Sequence, residues 1–174
     1  MLYTLATFLG YFFLSGFIWG AGFEPTNRRE IDTAAKLLGL HEGMTVYDLG
    51  SGTGDVLVHL AKKYKVNGVG IEVDPLKVWI SRWRLSRARV GSKVKIQRAN
   101  LLKADLSRAD VIYVFLSGGT GIMDKLANKL TEADSQANVA SYVHSFKDLQ
   151  PVTSEGGISV YSFKRSSIVP KVLV

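Results

Sequence analysis

Cysteine is absent from the 174 residues of this sequence. Its absence excludes disulfides, thiolate zinc sites and cysteine nucleophiles. Histidine is scarce as well, and His41, His59 and His144 lie far apart without the spacing of metal ligands. We therefore expect no bound metal.

Charged side chains are distributed unevenly along the chain. Residues 1–23 hold no charged side chain and residues 75–104 hold no acidic one, although the net charge is +7. The basic side chains of the second stretch are Lys77, Arg82, Arg84, Arg87, Arg89, Lys93, Lys95, Arg98 and Lys103. Such a block can contact anionic lipid, nucleic acid or an acidic protein, or it can simply be a solvated helix face and turn.

The uncharged residues 2–23 are apolar or small, and about 20 such residues are enough to cross a hydrocarbon core as a helix. Tyr3 and Trp19 lie near the two ends, where aromatic rings favour the membrane interface. A cleaved signal peptide would begin with a basic stretch, and a buried core helix would not be apolar on every side. We predict a transmembrane anchor over residues 1–23, followed by one domain over residues 24–174.

The orientation of this anchor follows from the charges beside it. Arg28 and Arg29 follow the apolar segment directly, while only the amino terminus precedes it. The positive-inside rule then places the folded domain on the cytoplasmic side, or on the matrix side of an organelle.

Strand and helix patterns alternate after the anchor. The predicted strands are residues 44–49, 66–73, 94–97, 111–116, 139–146 and 158–163, and helices are predicted after Asn27, over 56–64, from Pro75 and over 122–130. The helix from Pro75 is expected to pack its apolar side chains into the core, namely Leu76, Trp79, Ile80 and Trp83. This alternation predicts an α/β fold with a doubly wound, mainly parallel, Rossmann-like sheet.

The most informative motif is the loop Gly50-Ser51-Gly52-Thr53-Gly54, directly after the first strand. Glycines there permit a tight turn and let backbone amides approach a ligand closely. In a doubly wound sheet this loop lies where ligands bind. Glu72 ends the second strand about twenty residues later, and a carboxylate there can accept both hydroxyls of a ribose.

The spacing of the glycines separates two cofactors that could use this pair of features. Dinucleotides are bound by GxGxxG, whereas this loop is GxGxG and is flanked by Asp48 and Asp55. Carboxylates repel a pyrophosphate but suit the sulfonium and ammonium groups of S-adenosylmethionine (SAM). The sequence therefore predicts SAM, with a binding loop that comprises Asp48, Gly50, Ser51, Gly52 and Gly54.

Two further strand ends complete the expected site. Asn100 and Leu101 follow the third strand, where they would contact adenine, although Asn100 could instead only cap a turn. Phe115 and Leu116 end the fourth strand, where the methyl acceptor should meet the cofactor. The Asn/Asp-Pro-Pro-aromatic signature of nucleobase amino-methyltransferases is absent there, which argues against nucleic acid as the substrate.

The segments PTNRREID, VYDLGSGTGDV, VGIEVDP, ANLLKADLSRADVIYVFL and KLANKL resemble the protein-lysine methyltransferases of archaea and mitochondria. The resemblance runs from Pro25 to about Phe146 and implies a class I SAM-dependent fold. It implies that Pro25 and Thr26 close over SAM, and that Phe115 and Leu116 line the methyl-transfer channel. The loop glycines and Asp48 would hold the methionine end of SAM, Glu72 the ribose, and Asn100 with Leu101 the adenine.

The expected reaction is methyl transfer to a lysine of a membrane-associated protein, because mitochondrial members of the resembled family carry a hydrophobic N-terminal segment and act on such proteins. No dedicated base is expected, although His144 or Tyr142 could accept a proton through water. A SAM enzyme that acts on a lipid or lipophilic small molecule is one alternative. A non-catalytic SAM-fold scaffold whose basic helix contacts anionic lipid is another.

Overall fold

The structure is a computed structural model that describes residue 11 and residues 26–116, 121–133 and 135–164. Its helices are α1 (Arg28–Leu37), α2 (Asp55–Tyr64), α3 (Pro75–Arg87) and α4 (Gly121–Glu132). Its strands are β1 (Thr45–Leu49), β2 (Asn67–Glu72), β3 (Val94–Arg98), β4 (Val111–Val114), β5 (Asn138–Tyr142), β6 (Thr153–Glu155) and β7 (Ile158–Ser162).

The strands form one seven-stranded sheet in the order β3-β2-β1-β4-β5-β7-β6. The first five are parallel, and β7 pairs antiparallel with both β5 and β6. One cluster of buried side chains packs α1, α2 and α3 on one face of the sheet, and a second packs α4 on the other. The predicted α/β fold with helices on both faces is confirmed, and the sheet is mixed.

Helix α1 begins with the capping box that the sequence suggested. The Asn27 side chain accepts from the Arg29 amide, and Glu30 accepts from the Asn27 amide. Asp32 then ties α1 to α2 by accepting hydrogen bonds from His59, Lys63 and Tyr64. Burial alone would raise the pKa of Asp32, but these hydrogen bonds outweigh it and hold the pKa at about 2.

The predicted core face of α3 is wrong. Trp79 and Trp83 are 66% and 55% exposed, and the side chains that α3 buries are Lys77, Val78, Ser81 and Leu85. The reason is the close approach of α3 to the loop after β1, because a Cβ added at Gly54 would lie 3.1 Å from the Cβ of Ser81. A small side chain fits at this contact and an indole does not.

The end of the sheet also differs from the sequence prediction. The strand expected over residues 139–146 ends at Tyr142, since Val143 adopts a left-handed conformation with φ of 62°. Strand β6 was not predicted, because its three residues are exposed and polar and it pairs only with β7. Gly156 and Gly157, with φ of 59° and 81°, form the turn that joins β6 to β7.

The predicted anchor over residues 1–23 lies outside the described residues, apart from Tyr11. The Tyr11 hydroxyl donates a hydrogen bond of 2.8 Å to Oδ1 of Asp74, the N-cap residue of α3. Within the described part of the chain, no helix has the length and apolar character needed to span a bilayer.

Candidate active site

The predicted site residues meet at the carboxyl edge of the sheet, around β1. Strand β1 lies between β2 and β4, so the order of the strands reverses at this point. A crevice that can hold a ligand opens at such a reversal in doubly wound sheets. The loop after β1, Glu72 at the end of β2 and Phe115 just after β4 therefore lie around one space.

The loop after β1 adopts a conformation that requires its glycines. Gly50, Gly52 and Gly54 have φ of 83°, 52° and 80°, a region in which side chains are strained. Gly50 also has no room for a side chain, because a Cβ there would lie 2.6 Å from Cδ2 of Leu116. The amides of Gly50 and Ser51 donate to the carbonyl of Ile71, which holds the loop against β2.

Glu72 is buried at the end of β2 and accepts three backbone hydrogen bonds. Its Oε2 accepts from the amide of Gly52 at 2.8 Å, and its Oε1 accepts from the amides of Val73 and Asp74 at 2.8 and 2.9 Å. The carboxylate is thus positioned by its own strand and by the glycine loop at once. It lies where the sequence placed the ribose.

Asp48 and Tyr113 are paired in register on β1 and β4, so their side chains are on the same face. Both are 2% exposed, and neither Asp48 Oδ2 nor the Tyr113 hydroxyl has a hydrogen-bond partner among the described residues. Burial, and next the charge of Glu72, raise the pKa of Asp48 to about 7. Burial and the charge of Asp48 raise the pKa of Tyr113 as well.

These groups fit a cationic ligand. A buried carboxylate with an unpaired oxygen is costly, and a cation placed beside it removes most of the cost. The Ser51 hydroxyl is also buried without a partner in the described structure. SAM carries an ammonium and a sulfonium, so the donor set around Asp48 fits the cofactor that the sequence predicted.

The predicted adenine turn follows β3. Leu101 is buried there, and Asn100 Oδ1 accepts from the amide of Leu102 at 2.9 Å, so Asn100 does cap a turn. Lys129 of α4 reaches the same turn. Its ammonium donates to the carbonyls of Leu101, Leu102 and Ala104. A residue of α4 thereby fixes the backbone on which adenine would rest.

Aromatic side chains line the region after β4 and β5. The rings of Phe115 and Tyr142 are stacked, with centroids 4.6 Å apart and planes 10° apart, and Tyr113 lies next to Phe115 at 6.4 Å. We call Tyr113, Phe115 and Tyr142 the aromatic wall. Glu30 of α1 accepts a hydrogen bond of 2.9 Å from the Tyr142 hydroxyl, which fixes the outer ring of this wall.

The remaining predicted residues lie around the wall. Leu116 is buried against Gly50, and Thr26 is half-buried directly before the N-cap of α1. His144 is half-buried two residues beyond β5, and its amide donates to the carbonyl of Tyr142. Pro25 lies outside the described residues. The roles proposed for these side chains stay predictions.

Comparison with known proteins identifies the family. Residues 48–153, from the buried Asp48 to the start of β6, match the family of ANTKMT methyltransferase domains. This chain belongs to the ANTKMT methyltransferase family. The resemblance to protein-lysine methyltransferases seen in the motifs is thereby confirmed.

Two relatives illustrate what the ANTKMT-family chain is similar to. A human lysine N-methyltransferase, named for the ATP synthase, is 32% identical over 148 residues, which are 83% of this chain and 62% of the human protein. A protein-lysine N-methyltransferase of Saccharolobus islandicus is 25% identical over 72% of this chain and 76% of the archaeal protein. This chain thus spans about three fifths of the length of the human relative.

A solved structure has the same architecture. It is an RNA methyltransferase of Salinibacter ruber in complex with S-adenosyl-L-homocysteine, with a TM-score of 0.75 and 28% identity. The similarity covers 85% of this chain and 97% of the Salinibacter chain. S-adenosylhomocysteine is what remains of SAM after the methyl is lost, so the predicted cofactor is confirmed.

Sequence reasoning missed three contributors to this family's site in the present chain. Tyr113 was read only as part of a strand, because its pairing with Asp48 depends on the register of β1 and β4. Glu30 was recognised as a capping residue, but its bond to Tyr142 joins residues 112 positions apart. Lys129 looks like an ordinary surface lysine in the sequence, although its spacing from Leu126 and Leu130 places it beside the buried side of α4.

We expect Asp48→Asn to change how stability depends on pH. The pKa of Asp48 is about 7 when folded, against an ordinary value of 3.8. The unfolded chain therefore loses this proton first, and the free energy of unfolding should fall as pH rises from about 4 to about 7. Urea unfolding across this range should show a slope for the parent protein that is smaller in Asp48→Asn.

A bound cation should favour the carboxylate form of Asp48 and release its proton. Binding of S-adenosylhomocysteine should therefore tighten as pH rises towards 7, and calorimetry in buffers of different ionisation enthalpy should show proton release. Equal proton release by the parent and by Asp48→Asn would show that another group is responsible.

We expect Lys129→Met to weaken SAM binding more than it slows the methyl transfer. Methionine keeps the apolar stem but leaves the carbonyls of residues 101, 102 and 104 without their donor. The KM for SAM should rise about tenfold, which corresponds to one lost charged hydrogen bond, while kcat changes less. Lys125→Met, on the exposed side of α4, is the matched control. An unchanged KM would remove Lys129 from the site.

Proposed function

We propose that this chain catalyses SAM-dependent methyl transfer to the side-chain amine of a lysine in a membrane-associated protein. The observation that carries the proposal is the combination of a cation-ready cofactor site at Asp48 and Glu72 with an aromatic wall beside it. Family membership supports methyl transfer, and the two relatives named as lysine N-methyltransferases support lysine as the acceptor.

The residues of the chain hold and orient the cofactor. When bound, SAM supplies a methyl group on a sulfonium, which is already activated for displacement. Glu72 would accept the ribose hydroxyls, and the glycine loop would pack its amides against the methionine end. Asp48 would stabilise the cationic part, and the turn of Asn100 and Leu101 would contact adenine.

The aromatic wall would prepare the acceptor. A free lysine has a pKa of about 10.4 and must become a neutral amine before it can attack. Stacked rings exclude water, and an apolar channel disfavours the ammonium form and lowers its pKa. Phe115 and Leu116 would then guide the amine towards the methyl group, and most of the rate enhancement would come from positioning. His144 is the residue through which a proton could leave by way of water.

The proposed location is a membrane, with residues 1–23 as a single span and residues 24–174 on the cytoplasmic or matrix side. The apolar length of that segment and the arginines that follow it support this arrangement. Alkaline carbonate extraction of membranes should leave the intact chain in the pellet. Release into the supernatant would contradict a spanning segment.

The substrate proposal is tested by incubating tritiated SAM and the full chain with a membrane extract. Label in protein, recovered as methyl-lysine after hydrolysis, would support the proposal. Label in the lipid phase would support a lipid or lipophilic small molecule as the acceptor. Label in RNA would assign the activity of the Salinibacter relative, and no label would favour a non-catalytic scaffold.

A further inference from the structure

Helix α3 exposes two tryptophans on one side. Trp79 and Trp83 are four residues apart, so they lie one turn above the other, and they are 66% and 55% exposed. Val143 and Val152 are the other large exposed apolar residues of the described structure, and they are smaller and lie on separate loops. Two adjacent exposed indoles form a patch of the kind that contacts a partner or a membrane.

The same side of α3 is basic. Arg82 and Arg87 are exposed beside the tryptophans, and the Arg87 guanidinium lies 5.5 Å from the centroid of the Trp83 ring. No residue of α3 is acidic, and its N-cap Asp74 is fully buried. We call Trp79, Arg82, Trp83 and Arg87 the outer face of α3. It combines interfacial aromatic rings with positive charge and has no carboxylate of its own.

We propose that the outer face of α3 docks on an anionic lipid surface. Indoles favour the level of the lipid headgroups, and arginines beside them are attracted by anionic phosphates. An acidic protein would satisfy the arginines too, but the lipid surface also accounts for two indoles that stand next to each other on an open helix face. The inference deepens the membrane location given under the proposed function and rests on it.

Neighbouring residues extend this surface. Lys95 and Arg98 are exposed on β3, which is the edge strand beside α3. Tyr11, which belongs to the predicted anchor, is hydrogen-bonded to Asp74 at the start of α3. The anchor segment and the outer face therefore meet at the same helix, and both would contact one bilayer.

The direction of α3 relates this surface to the catalytic site. The helix begins three residues after Glu72, at the carboxyl edge of the sheet, and its outer face starts one turn later. A membrane against the outer face would thus lie beside the cofactor site. A lysine close to the lipid surface could reach this edge while the domain stays docked.

Tryptophan insertion is the quantity to measure, because the anchor segment would bind vesicles by itself. The full chain carries three tryptophans, and Trp19→Phe leaves only Trp79 and Trp83. Vesicles of phosphatidylcholine that carry bromine on the acyl chains are prepared with and without phosphatidylglycerol, and quenching of tryptophan fluorescence is recorded. Quenching should be strong with phosphatidylglycerol and should decrease as salt is added.

Variants in the Trp19→Phe background separate the outer face from general charge. Arg87→Gln should raise the lipid concentration at half-maximal quenching about fivefold. Arg82→Gln together with Arg87→Gln should raise it on the order of twenty-fivefold, since each arginine contributes separately. Arg108→Gln removes an exposed arginine just before β4, at the opposite edge of the sheet, and should leave the lipid concentration unchanged.

Two results would overturn the inference. One is the absence of quenching with both kinds of vesicle, and the other is an equal effect of Arg87→Gln and Arg108→Gln. A fluorescence shift that appears only with a protein fraction of the membrane would assign the outer face to a protein partner instead. Quenching that persists in a chain without methyl-lysine activity would leave this inference standing and reject the proposed function alone.

Discussion

Glu72→Gln should lower the affinity for S-adenosylhomocysteine by about a hundredfold or more. The carboxylate accepts backbone hydrogen bonds with both oxygens, from Gly52 and from the amides of residues 73 and 74. Glutamine replaces one oxygen by an NH₂ group, which cannot accept from an amide and cannot accept from a ribose hydroxyl. Two charged hydrogen bonds of about 1.5–3 kcal/mol each would be lost or weakened.

Calorimetry of S-adenosylhomocysteine binding is the measurement for this prediction, because it needs no knowledge of the methyl acceptor. Circular dichroism and urea unfolding of the same samples separate lost binding from lost folding. Glu42→Gln is the matched control, since Glu42 is exposed in the turn before β1. A folded Glu72→Gln protein that binds as tightly as its parent would disprove the assignment of the ribose site.

Gly50→Ala should destabilise the protein by about 2 to 4 kcal/mol and disrupt the cofactor site with it. Two causes add at this position. The residue has φ of 83°, which strains any side chain, and the new Cβ would lie 2.6 Å from Cδ2 of Leu116. Because Gly50 follows β1 directly, relief of either strain would move the loop away from Glu72.

Two other glycines separate these causes. Gly39 has φ of 64° with open space around it, so Gly39→Ala should show the strain alone. Gly91 has open space and no positive φ, so Gly91→Ala should be close to neutral. Urea unfolding should therefore rank the three variants with Gly50→Ala as the most destabilised and Gly91→Ala as the least.

A double-mutant cycle with Leu116→Ala identifies the clash itself. Leu116→Ala removes the atom that the new Cβ would meet, so the combined loss should be smaller than the sum of the single losses. Additive losses would mean that the loop avoids Leu116 by another route, and the packing argument at Gly50 would then be wrong.

Most of the cofactor site could be read along the chain because its signals are local. The glycines of the loop, Asp48 before them and Glu72 after the next strand each have a conformational or chemical reason that neighbouring residues reveal. The helix cap at Asn27 and Glu30 is local in the same sense, and the structure contains both of its hydrogen bonds.

The failures concern which side of an element faces the core. Hydropathy favoured Trp79 and Trp83 as buried residues, but the close contact between Ser81 and Gly54 turns α3 so that these indoles face outwards. Apolar character describes a residue by itself, whereas burial depends on the shape of the neighbouring element. The strand prediction beyond Tyr142 failed for a related reason, since the turn at Val143 is imposed by the pairing of β5 with β7.

By itself the sequence determined the fold class, the cofactor loop and the family resemblance, because periodicity, glycine placement and carboxylate spacing act over short stretches of chain. Only the tertiary structure decided which distant residues share the site. The register of β1 and β4 brings Asp48 beside Tyr113, the packing of α1 brings Glu30 to Tyr142, and α4 carries Lys129 to the adenine turn. Those contacts depend on how the elements pack, and packing is decided by the fit of all their surfaces together.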